Sequence, residues 1–292
     1  MTTRTEGVSS ARPEGWRGVL APLTRNPLGL IGLVLAVFVV LCAVLASVIA
    51  PFDPLDQDVL ARLKGPHAAH WLGADQFGRD ILSRMLYGFR SSLAVAFGSV
   101  IVALALGASL GVAAAYLGGW FERISMRAMD VLFAFPIILL AIGIVAMLGP
   151  GQYNAALAIG VVYVPIFARL ARGPALVLRS SDYVQAARGL GASDARIIFR
   201  HMLPNLSSVL LVQTTLSLSS AILVESSLSF LGLGTQPPTP SLGQMLAEGR
   251  VYMTLSPWTS LFSGLAILMA SLGFNLLGDA LRDILDPRLR SA

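Results

Sequence analysis

Residues 181–204 read SDYVQAARGLGASDARIIFRHMLP, a polar, arginine-bearing stretch set between two long apolar runs. The stretch divides at Gly191 into two short helices, because glycine is the usual left-handed stop after a helix. Asp182 is placed to cap the first helix, with Gln185 three residues on to complete a capping box, and Ser193 is placed to cap the second. Tyr183, Ala186, Ala187 and Leu190 share one helical face, and Ala195, Ile198, Phe199 and Met202 repeat that spacing. Arg188, Arg196 and Arg200 fall off those faces, where they could meet carboxylates or carbonyls of another protein. Packing of both helices on their own bundle is the simpler alternative.

The surroundings place this hairpin in a membrane protein. Of 292 residues 55% are hydrophobic and only 13% charged, with a net charge of +5. That is far from the composition of a soluble domain. The basic residues are scattered through short segments with no aromatic-interleaved patch, which argues against nucleic-acid binding. Cys42 is the single cysteine, so an intrachain disulfide is excluded.

Residues 1–27 form a polar tail, and 28–50 hold the first span, long enough to cross about 30 Å of hydrocarbon. A signal peptide is disfavoured, because the apolar run exceeds the usual h-region of about 7 to 15 residues. An outer connection, 51–90, balances five acids with five bases, and its last turns (Ile81, Leu82, Met85, Leu86, Phe89) suggest a helix lying at the interface. The second span, from Ser91 to Leu117, carries Ser99, Ala103, Gly107, Gly111 and Ala115 at every fourth position, a seam for close helix approach. Pro136 falls in the third span, Val131 to Leu148, and Pro165 in the fourth, Tyr153 to Ala168; such prolines favour a cavity-lining bundle. Leu206 to Leu231 is the fifth span, interrupted only by Glu225, and Trp258 to Leu277 the sixth.

Six spans put both termini on one side. Of 21 Arg and Lys residues, 15 fall in the segments assigned inside, which predicts cytoplasmic termini and a cytoplasmic hairpin. The expected fold is all-α, with a transmembrane core over 91–280, the hairpin 181–204 within it and a C-terminal tail at 281–292.

Little in the chain supports chemistry of its own. Lys64 is the single lysine and no phosphate-binding GxxxxGK[ST] surrounds it, so any ATP must be held by a partner. No nucleophile elbow is present and all three histidines fall in loops. His67 and His70 are too few for a metal site, and His201 reads as a packing or contact residue. Glu225, alone in an apolar run, reads equally as lining a translocation path or as a carboxylate near the outer end of its helix, hydrogen-bonded to a neighbour or protonated.

The hairpin resembles the EAA loop of ATP-binding-cassette (ABC) importer permeases, with Gln185-Ala186-Ala187, Gly191 and Leu203-Pro204 at the matching positions. Gln185 stands for that family's Glu and His201 for its Ile. Three further stretches are similar to the C-type permease of dipeptide, oligopeptide and nickel importers: Leu72 to Arg84, Gly232 to Arg250 with Leu242 where Trp is frequent, and Gly278 to Arg290. The resemblance runs from about residue 20 to the end. It implies a type I importer permease of the bacterial inner membrane that binds no cofactor itself. It also implies a second, homologous permease, two P-loop ATPases holding ATP and Mg, and an external solute-binding protein. Substrates of such permeases include dipeptides, longer peptides, glutathione, nickel chelates and opines. The implied mechanism is alternating access, in which the ATPases draw the cytoplasmic hairpins together. An ion-coupled secondary transporter using Glu225 is the competing reading.

Overall fold

The structure is a computed structural model that describes residues 26–285; the N-terminal tail through residue 25 and the end of the C-terminal tail lie outside it. Among the described residues the chain is helical, with one isolated β-bridge between Ala74 and Asp80. Helix α1 is Pro27–Val44, capped by the Asn26 side chain, and the outer connection leads into α2, Ile81–Leu117. The remaining elements are α3 (Gly119–Phe133), α4 (Ile137–Leu148), α5 (Gln152–Arg179), α6 (Asp182–Gly189), α7 (Ser207–Phe230), α8 (Leu242–Val251) and α9 (Trp258–Leu285).

The α2–α5 pair forms the centre of the bundle, with the most extensive contact of any two elements. The seam predicted on α2 is the reason, since Ser99, Ala103, Gly107, Gly111 and Ala115 are all buried. A β-carbon on Gly107 would come within 2.5 Å of the Val164 carbonyl oxygen, and one on Gly111 within 2.2 Å of the Ala168 oxygen. Only backbones without side chains approach so closely. Helix α9 joins α1 and α7 to this centre.

Three sequence expectations change. The helix expected to lie at the interface near residues 81–89 is the first part of α2, which runs unbroken to Leu117. Nothing between Phe89 and Leu93 breaks a helix, and Asp80 caps its start through the Ser83 N–H at 2.7 Å. The third span is not continuous: α3 and α4 meet at 94° around Pro136, which has no N–H for the ladder and clashes with the preceding turn. Among the described residues, five helices are long and apolar enough to cross a membrane, six if this bent pair is one span. The outer loop before α9 also contains α8, capped by Ser241 through the Gln244 N–H at 3.3 Å.

Candidate functional site

The hairpin hangs from the end of α5. Ser181 occupies the cap position of α6, but its hydroxyl donates to the Leu178 carbonyl at 2.6 Å, so Asp182 becomes the first helical residue rather than the cap. Gln185 likewise reaches the Arg179 carbonyl, at 3.2 Å, instead of closing a capping box. The last carbonyls of α5 lack i+4 helical partners; at Leu178 the Ser181 hydroxyl joins its own N–H, and at Arg179 the Gln185 side chain donates.

Gly191 behaves as expected, with φ +78°. The Gly191 N–H donates to Arg188 O and the Ala192 N–H to Ala187 O, both at 3.0 Å, the bond pair of a glycine-terminated helix. Ser193 then caps the second arm through the Arg196 N–H at 3.4 Å. That arm is not a plain α-helix. After Asp194–Arg196 the coil widens to a π-type turn at Ile197–Met202 and tightens at Leu203–Leu206, because Pro204 cannot donate to the ladder.

The buried faces also differ from the expected ones. Val184, Ile197, Ile198 and Met202 anchor the hairpin, while Tyr183 and Leu190 are exposed, Leu190 by 89%, and Phe199 by 57%. Asp182, Gln185, Ala186, Arg188, Gly191, Arg196, Arg200 and Pro204 are exposed as well; Ala187 and Leu203 are half-buried. Tyr116 at the end of α2 donates to Asp194 at 2.8 Å, and Arg179 donates to the Ala115 carbonyl at 3.3 Å. The hairpin is thus fixed at its base and offers an apolar and basic outer face.

At the opposite end a buried ion-pair network joins segments far apart in sequence. Asp75 accepts from the backbone N–H groups of Phe77 and Arg79 and from Arg79 Nε at 2.7 Å, with Arg84 Nε 3.5 Å away. Glu248 on α8 accepts from Gln76, Arg79 and Arg84 at 3.0, 3.1 and 3.3 Å, and from Gln244 at 2.9 Å. Asp75 is fully buried and Arg84 is 1% exposed. The network clamps α8 onto the outer connection.

His70 belongs beside it, with Nδ1 2.9 Å from Asp80, while His67 Nδ1 lies 2.9 Å from the Gly65 carbonyl oxygen. No group of three or more His, Cys, Asp or Glu residues suited to a metal occurs among the described residues. The His201 carbonyl accepts from Asn205 at 2.6 Å and from the Tyr183 hydroxyl at 3.4 Å.

Glu225 lies inside the bundle with no exposed surface. Its carboxylate accepts from the Ser229 hydroxyl at 2.7 Å and from Ser226 at 3.5 Å. Helix α8 covers this part of α7 so closely that a β-carbon on Gly243 would lie 2.1 Å from the Ser226 oxygen.

Comparison with known proteins identifies the family. The family profile described as "binding-protein-dependent transport system inner membrane component" matches residues 107–291. The chain belongs to this family. A second profile, the N-terminal transmembrane domain of oligopeptide transport permease C, matches residues 15–66. The permease is 45% identical over 276 residues to the dipeptide transport system permease protein DppC of Alkalihalophilus pseudofirmus, covering 94% of this chain and 91% of that one. It is also 45% identical to the glutathione transport system permease protein GsiD of Pectobacterium atrosepticum, over 99% and 95% of the two chains. A putative peptide transport system permease of Brucella suis is 49% identical over 89% of this chain and 88% of that one. Among solved structures, an inward-facing MetNI methionine ABC transporter aligns with TM-score 0.56 at 19% identity, covering 69% of this chain and 96% of that one, and shares the fold.

The permease is therefore an all-α, multi-pass inner-membrane subunit of an ABC importer. Its hairpin was legible from the sequence, whereas the role of Glu248 was not. The stretch Met245 to Arg250 reads as a loop signature until α8 carries Glu248 against Arg79 and Arg84, more than 160 positions away.

Proposed function

We propose that the permease moves peptide-like solutes into the cell as one half of a translocation pore. Its pore partner is a second, homologous permease. Two P-loop ATPases hold ATP and Mg and dock on residues 181–204, and an external solute-binding protein delivers the substrate. Both termini and the hairpin face the cytoplasm, as the bias of basic residues favours. Relatives named for dipeptide, glutathione and peptide transport support a substrate carrying amide and carboxylate groups.

The observation that carries this reading is the hairpin: an exposed apolar and basic surface on a base fixed by Tyr116 and Arg179. A lever must transmit displacement without deforming, and two short arms closed at Gly191 meet that need. Because Gln185 has no charge to offer an ATPase, Asp182, Arg188, Arg196 and Arg200 carry the ionic part of the docking. Reconstitution in liposomes with its companion subunits tests the assignment. Uptake is expected to require ATP and the binding protein together; uptake by this chain alone, following a proton gradient, would overturn it.

Glu225 separates the two mechanisms directly. Gln at this position can still accept from Ser229, so Glu225→Gln is expected to keep ATP-driven uptake within about fivefold of the parent, the scale of one altered hydrogen bond. Abolished uptake with intact ATP hydrolysis would instead make the carboxylate a coupling group on the path.

A further inference from the structure

A cleft of about 670 Å³ opens between α3 and the cytoplasmic part of α5, lined by Glu122, Arg123, Met126, Arg127, Asp130, Arg169 and Arg172. Its depth in the bilayer follows from the helix geometry. Arg169 lies 17 residues beyond Gln152 on α5, about 26 Å along the axis, which brings it to the inner boundary of a hydrocarbon layer about 30 Å thick. Glu122 and Asp130, eight positions apart on α3, meet Arg172 and Arg169, three positions apart on α5. Helix α3 therefore crosses α5 at this level, and its axis is bent 94° from that of α4.

The charges in the cleft are unequally matched. Glu122 accepts from Arg172 Nε at 2.7 Å, and Asp130 accepts from Arg169 at 2.8 Å, while the Arg169 guanidinium also lies 4.2 Å from the centroid of the Phe133 ring. Both acids are thereby engaged, and the two remaining arginines leave the lining with a formal excess of +2, from four bases against two acids. Arg123 donates only to the Gly119 carbonyl of its own helix, at 3.3 Å, and Arg127 has no side-chain partner among the described residues. Like charges at i and i+4 destabilise a helix unless an anion lies between them. On the same helix Trp120 is 69% exposed, with Ile124 and Val131 beside it, an apolar surface suited to acyl chains next to the basic one.

We propose that this cleft binds the phosphodiester headgroup of an anionic phospholipid of the inner leaflet, with Arg123 and Arg127 on the phosphate and Trp120 and Ile124 against the chains. Basic pockets between spans at the cytoplasmic face suit such headgroups. The assignment depends on the membrane placement of α3 and not on which solute is carried.

The test uses the full permease, purified with the subunits that accompany it and incorporated into phosphatidylcholine nanodiscs containing phosphatidylglycerol. Native mass spectrometry then counts retained phosphatidylglycerol. Arg123→Gln with Arg127→Gln is expected to lower retention about fivefold for each arginine removed. Both side chains are exposed, so the fold survives, as an unchanged thermal midpoint would verify. Arg62→Gln with Lys64→Gln, two exposed cations of the outer connection, should leave retention unchanged; an equal loss there would reduce the effect to general charge attraction and overturn the site. Displacement of the lipid by inorganic phosphate at millimolar concentration would make the ligand a free anion instead. Displacement by a dipeptide would place the cleft on the transport path, and either result overturns the lipid assignment.

Discussion

Gly191→Pro is expected to abolish ATP-coupled uptake while leaving the permease inserted, folded and associated with its lipids. Gly191 holds φ +78° and gives its N–H to the Arg188 carbonyl. Proline fixes φ near −65° and has no N–H, so the joint loses both its geometry and its bond. At about 3 kcal/mol for such a replacement, the native hairpin falls more than a hundredfold relative to displaced forms. The effect is conformational rather than steric, because no atom lies within 4 Å of where a β-carbon would project. It is also local, since the hairpin enters the bundle core only through Val184, Ile197, Ile198, Met202 and their neighbours. Proteoliposome uptake and ATPase rate, measured together, report the outcome. Asn tolerates the left-handed region, so Gly191→Asn should retain most of the activity. Uptake by the proline variant at the parental rate would remove the hairpin from the coupling path.

What the sequence disclosed and what it withheld follow from the range of the interactions. The seam from Ser99 to Ala115 was readable because four-residue spacing on one helix already specifies a face, and the face is buried against α5 as expected. Gly191 was readable because the need for a positive φ is local. The cap of α6 falls one residue before Asp182, where spacing predicts it, because the competition for Ser181 and Gln185 comes from α5 carbonyls, and periodicity says nothing of those. Pro136 and Pro165 look alike in sequence. Yet α3 and α4 part at the first, at the edge of the bundle, while α5 passes through the second, which is buried in the α2–α5 centre. Tertiary packing decides whether a proline breaks a span or merely sits in one. Glu225 is visible as an isolated acid with Ser229 one helical turn on, but its complete burial beneath α8 is a tertiary fact that spacing does not carry.

The outer network leads to the other large expected effect. Asp75→Ala should destabilise the permease by about 3 to 5 kcal/mol, the cost of stripping the partner from a buried charge. Asp75 accepts two backbone N–H groups and the Arg79 guanidinium and lies beside Arg84, so its loss leaves two cations facing a single acid. One of those cations, Arg84, has almost no contact with solvent that could screen it. Glu248 has a side chain 22% exposed, and water can replace part of what it provides, so Glu248→Ala should cost less. Thermal midpoints of the purified permease would fall by about 10 °C for Asp75→Ala and by clearly less for Glu248→Ala. The functional consequence differs in kind from that of Gly191→Pro. Without Asp75 the outer connection no longer holds Arg79 and Arg84 toward α8, and α8 in turn covers the segment of α7 that carries Glu225. Solvent should then reach Glu225, which a water-soluble carbodiimide would detect as labelling absent from the parent. Equal destabilisation by the two variants, with Glu225 still protected, would show that α8 is held by its close packing at Gly243 and Gly88 rather than by the ion pairs.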